Sequence, residues 1–518
     1  YKQSLRNENK MTYIRKSVWA NGGDFDDPIL FWYAKAVGAL KTRALDDPAS
    51  WRFFAGIHGF EAELWEGFGY YDPTVDQLPS QQVQATYWQQ CQHGTWFFVP
   101  WHRGYLVAIE SILRTEIINQ GGPQDWSLPF WDYSDTTNPN AAYMPPAFER
   151  THLPDGSVNP LYVAQRYGTY HPLPTQDITL TALEDLQFTT PHNFKAFGGP
   201  ETSFSHSNRI FGDLESKPHN LVHDDIGGDN GIMSDPDSAG LDPIFYLHHA
   251  NIDRLWSVWF ELGNGRSNLV DAQWLEGPVT GRKFIMPLAS GDSWQYTPQD
   301  VQNNLDINVN GTQLGYEYTA GSGVSAAQEM LSTSESRAKL LGFESFKTPL
   351  NLQPVASELI GATTKKLQID GLTNVAIPLD HKMKNTLQKS FMALETLSDK
   401  GVSEPDRVFL KLENVKANRE GIILDIYTTL ANDDNPNNTS LVESIGLFGI
   451  RKASNAKEEH GGAGLNIIVD ITHYFDELHL NKQIADTNAF PISFVPRQPL
   501  ASDADLSIGQ ISVYREGL

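Results

Sequence analysis

A single cysteine, Cys91, in 518 residues leaves no intramolecular disulfide to form and no thiolate cluster of the zinc-finger or iron–sulfur kind. Basic side chains are also few, 39 Lys and Arg against 63 Asp and Glu, and the net charge of -24 repels polyphosphates. Neither nucleic acid nor an anionic membrane is therefore expected as a partner. No apolar run approaches the roughly 18 residues that a membrane-spanning helix requires. The polar, basic stretch 1–16 has neither the apolar stretch nor the small-residue cleavage site of a secretory leader, so a soluble cytoplasmic protein is expected. Overlapping glycosylation sequons at Asn437 and Asn438 matter only in a secreted eukaryotic chain. Against these shortages, 40% hydrophobic and 20% charged residues exclude disorder, and the length suggests two to three domains. Histidine, with 15 copies, and tryptophan, with 13, are plentiful, so a metal held here needs ligands other than thiolate.

The first half reads as helices with long irregular connections. Leu30–Leu45, Ala49–Phe68, Gln81–Gln92, Trp101–Gln120 and Asp242–Leu262 place apolar residues three and four apart. Asp242 before Pro243 is a helix start, with an oxygen acceptor at the cap and a proline where a missing N–H costs nothing. Loops such as Asp135–Pro146 and Gly227–Gly240 are long enough to shape a site. Beyond residue 350 the period shortens. Lys366–Ile369, Val408–Val415, Ile422–Thr429, Leu441–Ile450, Leu465–Thr472, Pro491–Pro496 and Leu506–Tyr514 read as strands of an antiparallel β-sandwich. Ser325–Leu341 reads as a helix closing the first domain. The expected division is 1–345, mainly α, then a linker over 346–364, then a β-sandwich over 365–518.

Eleven of the 15 histidines lie between residues 58 and 249. In Pro218-His219-Asn220-Leu221-Val222-His223 two imidazoles at i and i+4 share a helix face, about 6 Å apart, a spacing that chelates a metal ion. Two exposed helix histidines would show the same spacing. In Asp242–Trp256, however, His248 and His249 interrupt an apolar helix two turns in, where burying an imidazole costs more than burying a leucine. Adjacent helix residues point about 100° apart, so one of this pair faces the site of His219 and His223. The third set is His58 with Cys91-Gln92-His93 and His102, where Gly94 and Pro100 free His93 and His102 from helix spacing. Two three-histidine sites result. All-imidazole ligation suits zinc, copper, iron or nickel, and copper best, because imidazole holds both of its oxidation states.

Trp101-His102-Arg103, Pro218–His223 with Gly227-Gly228 after it, and Asp242-Pro243 through His249 to Asp253-Arg254-Leu255-Trp256 resemble, in order and spacing, the coupled binuclear copper family of tyrosinases, catechol oxidases and haemocyanins. The resemblance covers roughly residues 50–260. It implies a four-helix bundle holding two copper ions, the first on His58, His93 and His102 and the second on His219, His223 and His249, with His248 behind the ligands. It also implies O2 and small phenols as partners, and it allows a homo-oligomer. Gln313–Tyr318, Phe494-Val-Pro-Arg497 and Ile508–Ile511 resemble the connector and C-terminal domain of plant polyphenol oxidases, in which that domain is a lid over the copper site. The absence of the plant N-terminal cysteines points to a bacterial, cytoplasmic member.

The implied reaction oxidises a phenol through a catechol to an o-quinone. A phenol with a pKa of about 10 is protonated at neutral pH, so a proton acceptor is needed. In the family, an acidic residue and an asparagine placed as Glu215 and Asn220 are here hold the water that takes that proton, which implies tyrosinase and not only catechol oxidase activity. Phe98, four residues before His102, corresponds to a phenylalanine packed on the copper ligands. Pro236, thirteen residues before His249, is a small ring where some relatives carry a bulky one over the pocket. The Cys91-x-His93 spacing resembles the fungal pattern in which the cysteine sulfur is joined to the imidazole as a thioether; the alternative is a buried thiol acting as a small hydrophobe. A catechol oxidase limited to diphenols and an oxygen carrier sealed by its lid are the rival functions. Neither copper set has a bridging carboxylate, which disfavours a di-zinc hydrolase.

Overall fold

The computed structural model describes residues 13–342 except 170, 191–195, 203–209, 279–282, 320–322, 325–326 and 329–336, and residues 357–517 except 396–404, 430–438 and 458–460. The Asn437 and Asn438 sequons lie outside the described residues, as does most of the helix expected over Ser325–Leu341; Arg337–Leu340 within it is helical.

Capping sets where the helices begin. Asp27 and Asp242 each accept from the backbone N–H two residues on and are each followed by proline, starting α1 (Pro28–Lys41) and, further along, the long helix Pro243–Glu261. Ser50 accepts from Phe53 N at 3.0 Å and starts α2 (Trp51–His58). The single helix expected over Ala49–Phe68 is broken at Gly59, whose backbone is extended (φ -168°, ψ 151°), and a new helix forms at Ala62–Gly67. Tertiary packing then demands glycine there, because a Cβ on Gly59 would come within 2.6 Å of the Pro236 carbonyl oxygen. The helix expected to Gln92 stops at Tyr87, and Gln89 (φ 58°) and Gly94 (φ 64°) in left-handed conformations make the following stretch a loop.

Helix α3 (Phe98–Asn119) tolerates Pro100 because first-turn N–H groups have no intrahelical acceptor. Before α4 (Leu221–Gly227) the chain is bent by Lys217, extended at φ -148° and ψ 124°, so the helical face carrying His219 and His223 does not continue back to Glu215. Pro243–Glu261 is α5. Helices α2 to α5 form the bundle around the histidines, with Trp51, Trp101, Trp256 and Trp259 wholly buried in its core. Among the described residues no helix is long and apolar enough to cross a membrane.

The C-terminal domain is an antiparallel β-sandwich. Its strands are β1 (Ser357–Ala362), β2 (Leu367–Gln368), β3 (Thr373–Pro378), β4 (Arg407–Lys416), β5 (Ile423–Thr428), β6 (Ser440–Gly446), β7 (Leu465–Asp470), β8 (Ala489–Pro496) and β9 (Ser507–Glu516). One sheet runs β7-β4-β9-β1 with β2 also on β9, the other β6-β5-β8-β3. Val408, Leu410 and Val513 from the first meet Leu424, Ile426 and Phe494 from the second in a shared core. Strand β1 lies inside the span read as linker; Ser-Glu-Leu-Ile-Gly-Ala lacks the β-branched alternation that marks a strand. The helices His381–Glu395 and Thr472–Leu480, absent from the sequence reading, are also part of this domain. Ile210 packs on Phe409 and Ile468, joining the sandwich to the helical domain.

Candidate dicopper centre

Six histidine rings are oriented by the hydrogen bonds and packing around them. His58 ends α2, and its Nδ1 donates to the Pro236 carbonyl at 2.7 Å. His102, one turn into α3, donates from Nδ1 to the Phe98 carbonyl at 2.8 Å. His223 on α4 donates to the Met233 carbonyl at 2.7 Å, and His219 donates to Asn220 Oδ1 at 2.8 Å. His93, from the loop before α3, has Nδ1 2.9 Å from Glu215 Oε1. A carbonyl can only accept, so His58, His102 and His223 carry their proton on Nδ1 and present an Nε2 lone pair.

Those lone pairs converge. Nε2 of His58 and His93 are 3.3 Å apart, and Nε2 of His249 lies 3.3 Å from Nε2 of both His219 and His223. His249 could donate to only one of its two neighbours, which leaves lone pair facing lone pair at the other. The buried Nε2 of His102 has no hydrogen-bond partner. Burial first, and neighbouring rings second, hold the pKa values of His102, His219, His223, His248 and His249 well below imidazole's ordinary value, so these rings are neutral. Neutral imidazoles that point lone pairs at one another inside a protein are a soft, nitrogen-only cradle for cations.

The candidate nitrogens form two groups, His58, His93 and His102 in one and His219, His223, His248 and His249 in the other, those within each group lying within 4.8 Å of one another. The groups are adjacent: His102 and His249 stack at 4.4 Å and His93 faces His219 at 5.4 Å. His248 is turned differently from His249, its ring at 73° to it and its Nδ1 3.3 Å from the Tyr133 hydroxyl. Phe98 lies among the rings, 4.7 Å from both His102 and His219. Cys91 is buried in the loop that carries His93, and burial pushes its thiol up to about 12.

Three placements depart from the sequence reading. Glu215, which the resemblance places beside Asn220 at the second histidine group, is turned away from it by the extended Lys217. Its carboxylate instead accepts from Gly94 N at 2.9 and 3.0 Å and meets His93 of the first group, and burial raises it well above the ordinary carboxyl range. Pro236 does more than line the pocket, because its carbonyl orients His58. Phe448, which no sequence pattern singled out, comes from the turn after β6 and is 2% exposed. Its ring stacks on His223 at 4.2 Å and meets His93 at 5.3 Å and His219 at 5.7 Å. The one local signal was Gly449 after it, at φ +78°.

Charged pairs hold that turn in place. Arg451 Nη2 reaches Asp235 at 2.6 Å and Glu61 at 2.5 Å, and Lys452 Nζ reaches Asp237 at 2.6 Å. Arg497 of the sandwich lies among Asp177 and Asp225 of the helical domain and Asp425 of its own.

Comparison with known proteins agrees with this geometry. The family described as the common central domain of tyrosinase matches residues 48–262, and a domain of unknown function matches 356–516. A tyrosinase of Hahella sp. (strain CCB-MM4) is 32% identical over 509 residues, covering 95% of this chain and 98% of that protein. A chloroplastic polyphenol oxidase of Malus domestica is 30% identical over 268 residues, 47% of this chain and 40% of that protein. Among solved structures, latent aurone synthase aligns with a TM-score of 0.59 at 20% identity, covering 98% of this chain and 90% of that one. Latent apple tyrosinase aligns with a TM-score of 0.57 at 20% identity, covering 100% and 99%. The two histidine groups fit the two copper ions of the tyrosinases. With a helical histidine domain, a covering sandwich and near full-length similarity to a tyrosinase, this chain belongs to the tyrosinase and polyphenol oxidase family of copper oxidoreductases.

Proposed function

We propose that the chain is a latent tyrosinase that oxidises monophenols and o-diphenols to o-quinones once its C-terminal domain moves. The observation that carries this is Phe448. An aromatic ring from the C-terminal domain lies against His93 of one group and His219 and His223 of the other, where a flat phenol would have to lie to meet both. A side chain with the substrate's shape in the substrate's place keeps phenols out.

His58, His93, His102, His219, His223 and His249 are assigned as the ligands, with His249 preferred to His248 for its two 3.3 Å approaches. A copper pair supplies the redox chemistry between O2 and the phenol. The protein's own part is to orient the imidazoles, exclude bulk water and take up the phenolic proton. Asn220 turns Oδ1 to His219 while its buried Nδ2 has no acceptor, and Glu215 turns to His93. We assign to this pair the holding of the water that accepts the phenol proton.

The test is oxidation of tyrosine and of a catechol by the full chain, its Phe448→Ala variant, and the chain cleaved near residue 350. A rise of about tenfold or more in kcat/KM after either change is expected. Oxidation of the catechol alone would reduce the reading to a diphenol oxidase, and no oxidation in any form would point to an oxygen carrier.

A further inference from the structure

The C-terminal domain touches the first histidine group by a second route, which starts from the turn that carries Phe448 but does not pass through its ring. Pro236, whose carbonyl orients His58 at 2.7 Å, is flanked by Asp235 and Asp237, both almost fully buried. Each carboxylate is met by a cation from the lid helix Ile450–Ser454: Arg451 on Asp235 at 2.6 and 3.1 Å, Lys452 on Asp237 at 2.6 Å. The same segment is pinned from the helical domain, where Asp237 N donates to Asp235 Oδ1 at 2.8 Å and Trp65 Nε1 donates to the Asp237 carbonyl at 2.5 Å.

Packing leaves little slack along this route. Gly449 stands over the proline ring, where a Cβ would come 3.2 Å from Pro236 Cγ, and Gly59 has no room for a Cβ beneath it. On the lid side, buried Glu420 accepts from the backbone N–H of Gly449, Ile450 and Arg451 at 2.9, 3.2 and 2.8 Å, which aims Arg451 and Lys452 at the two aspartates.

We propose that this clasp makes the lid a positioning element for the first copper site: Arg451 and Lys452 hold Asp235 and Asp237, and so the Pro236 carbonyl, in the place that aims His58. When the lid leaves, two neighbouring buried carboxylates lose their cations and hydrate, and the carbonyl between them is no longer fixed. Opening the lid then does two separate things. It vacates the pocket through Phe448, and it loosens His58 through Pro236. A carbonyl or carboxylate that orients a metal-bound imidazole is worth about 10- to 100-fold in metal affinity, and an effect relayed through one more contact belongs at the lower end. Arg451 and Lys452 are thus positioning residues that touch neither ligand nor substrate.

This inference rests on the assignment of His58 as a copper ligand, and the experiment separates the two. Full-length chain is loaded with Cu(II), and copper content and the EPR spectrum are followed during dialysis against a chelator. The unaltered protein, Phe448→Ala, and the double variant Arg451→Met with Lys452→Met are compared, with circular dichroism as the check on folding. The double variant is expected to lose one copper per chain about tenfold faster, and a lone-Cu(II) EPR signal should grow as half-sites empty. Phe448→Ala, whose clasp is intact, should keep both coppers as the unaltered protein does.

Equal retention in the double variant, or equal loss from Phe448→Ala, overturns the clasp. If the unaltered chain never binds two coppers, the ligand assignment fails first and the clasp with it. Should the double variant not fold, Arg451→Lys keeps the charge but loses the forked contact, and the same acceleration is expected in smaller measure.

Discussion

Arg497 offers the sharpest test of what holds the two domains together. Its guanidinium lies between domains, with Nη2 3.0 Å from Asp177 Oδ1 and 2.8 Å from Asp425 Oδ1, and Nη1 3.4 Å from Asp225 Oδ1. The Arg497 side chain is 8% exposed, and those of Asp177 and Asp225 are fully buried. Burial first and Asp177 second raise Asp225 above the ordinary carboxyl range, so closing favours a proton on this pair and the guanidinium balances the remaining negative charge. Arg497→Ala would leave those carboxylates, from opposite domains, facing one another out of water. Removing one partner of a buried ion pair costs about 3–5 kcal/mol.

Lid opening relieves that cost because it returns the carboxylates to solvent. At about 1.4 kcal/mol per tenfold, the open fraction should rise by roughly two to three and a half orders of magnitude, until opening is complete. The assay is the initial rate of catechol oxidation by the copper-loaded full chain, beside Arg497→Lys, which retains charge but not bidentate geometry and should fall between. Asp177→Asn weakens the same cluster from the helical side with every residue of the C-terminal domain unchanged, and should also raise the rate. An Arg497→Ala chain that is folded, copper-loaded and as slow as the parent would refute the idea that this cluster holds the lid shut.

Three further outcomes are open to direct measurement. Asn220→Gly should lower tyrosine turnover at least several-fold more than catechol turnover, since only the monophenol must lose its proton before oxygenation; equal losses would assign Asn220 to His219 alone. If Cys91 and His93 join as a thioether, the tryptic peptide carrying both will weigh two hydrogens less after copper loading, and an unchanged mass would leave Cys91 a buried thiol. Around Arg451 and Lys452 stand four carboxylates, Glu61, Asp235, Asp237 and Glu420, and burial with mutual repulsion raises Asp235 and Glu420 in the closed state. Closing therefore takes up protons, its stabilisation is complete below the ordinary carboxyl pKa, and it is lost as pH rises through the raised values. Amide exchange over Ile450–Ser454, corrected for its intrinsic pH dependence, should quicken toward alkaline pH; greater protection there would reverse the sign.

The residues that the sequence made legible are those whose chemistry demands local spacing. His219 and His223 sit one turn apart and Asp242 precedes Pro243 to start the helix that carries His249, so periodicity and capping located these histidines, while the choice of His249 over His248 came from the family resemblance. The sandwich was legible where its strands alternate, as in β4, and not in β1, whose glycine and short apolar run resemble a linker. Residues that act across the chain left almost no trace. Glu215 meets His93 across 122 positions, and the extended Lys217 that redirects it is invisible in a helical pattern.

Phe448 and Arg451 are the extreme case. Phe448 is one phenylalanine among 26 and Arg451 one of many surface-type cations, until folding sets them against His223 and Asp235. This division has a physical cause. Ligands that share a helix face, as His219 and His223 do, are tied to one interval along the chain, whereas a group that reaches the site from another domain, as Phe448 does, is bound to no interval. What narrows the choice is space. Gly449 over Pro236 and Gly59 beneath it are the positions where the C-terminal domain and the helical domain press on one stretch of backbone, and the lack of a side chain at each is what that contact asks of the sequence.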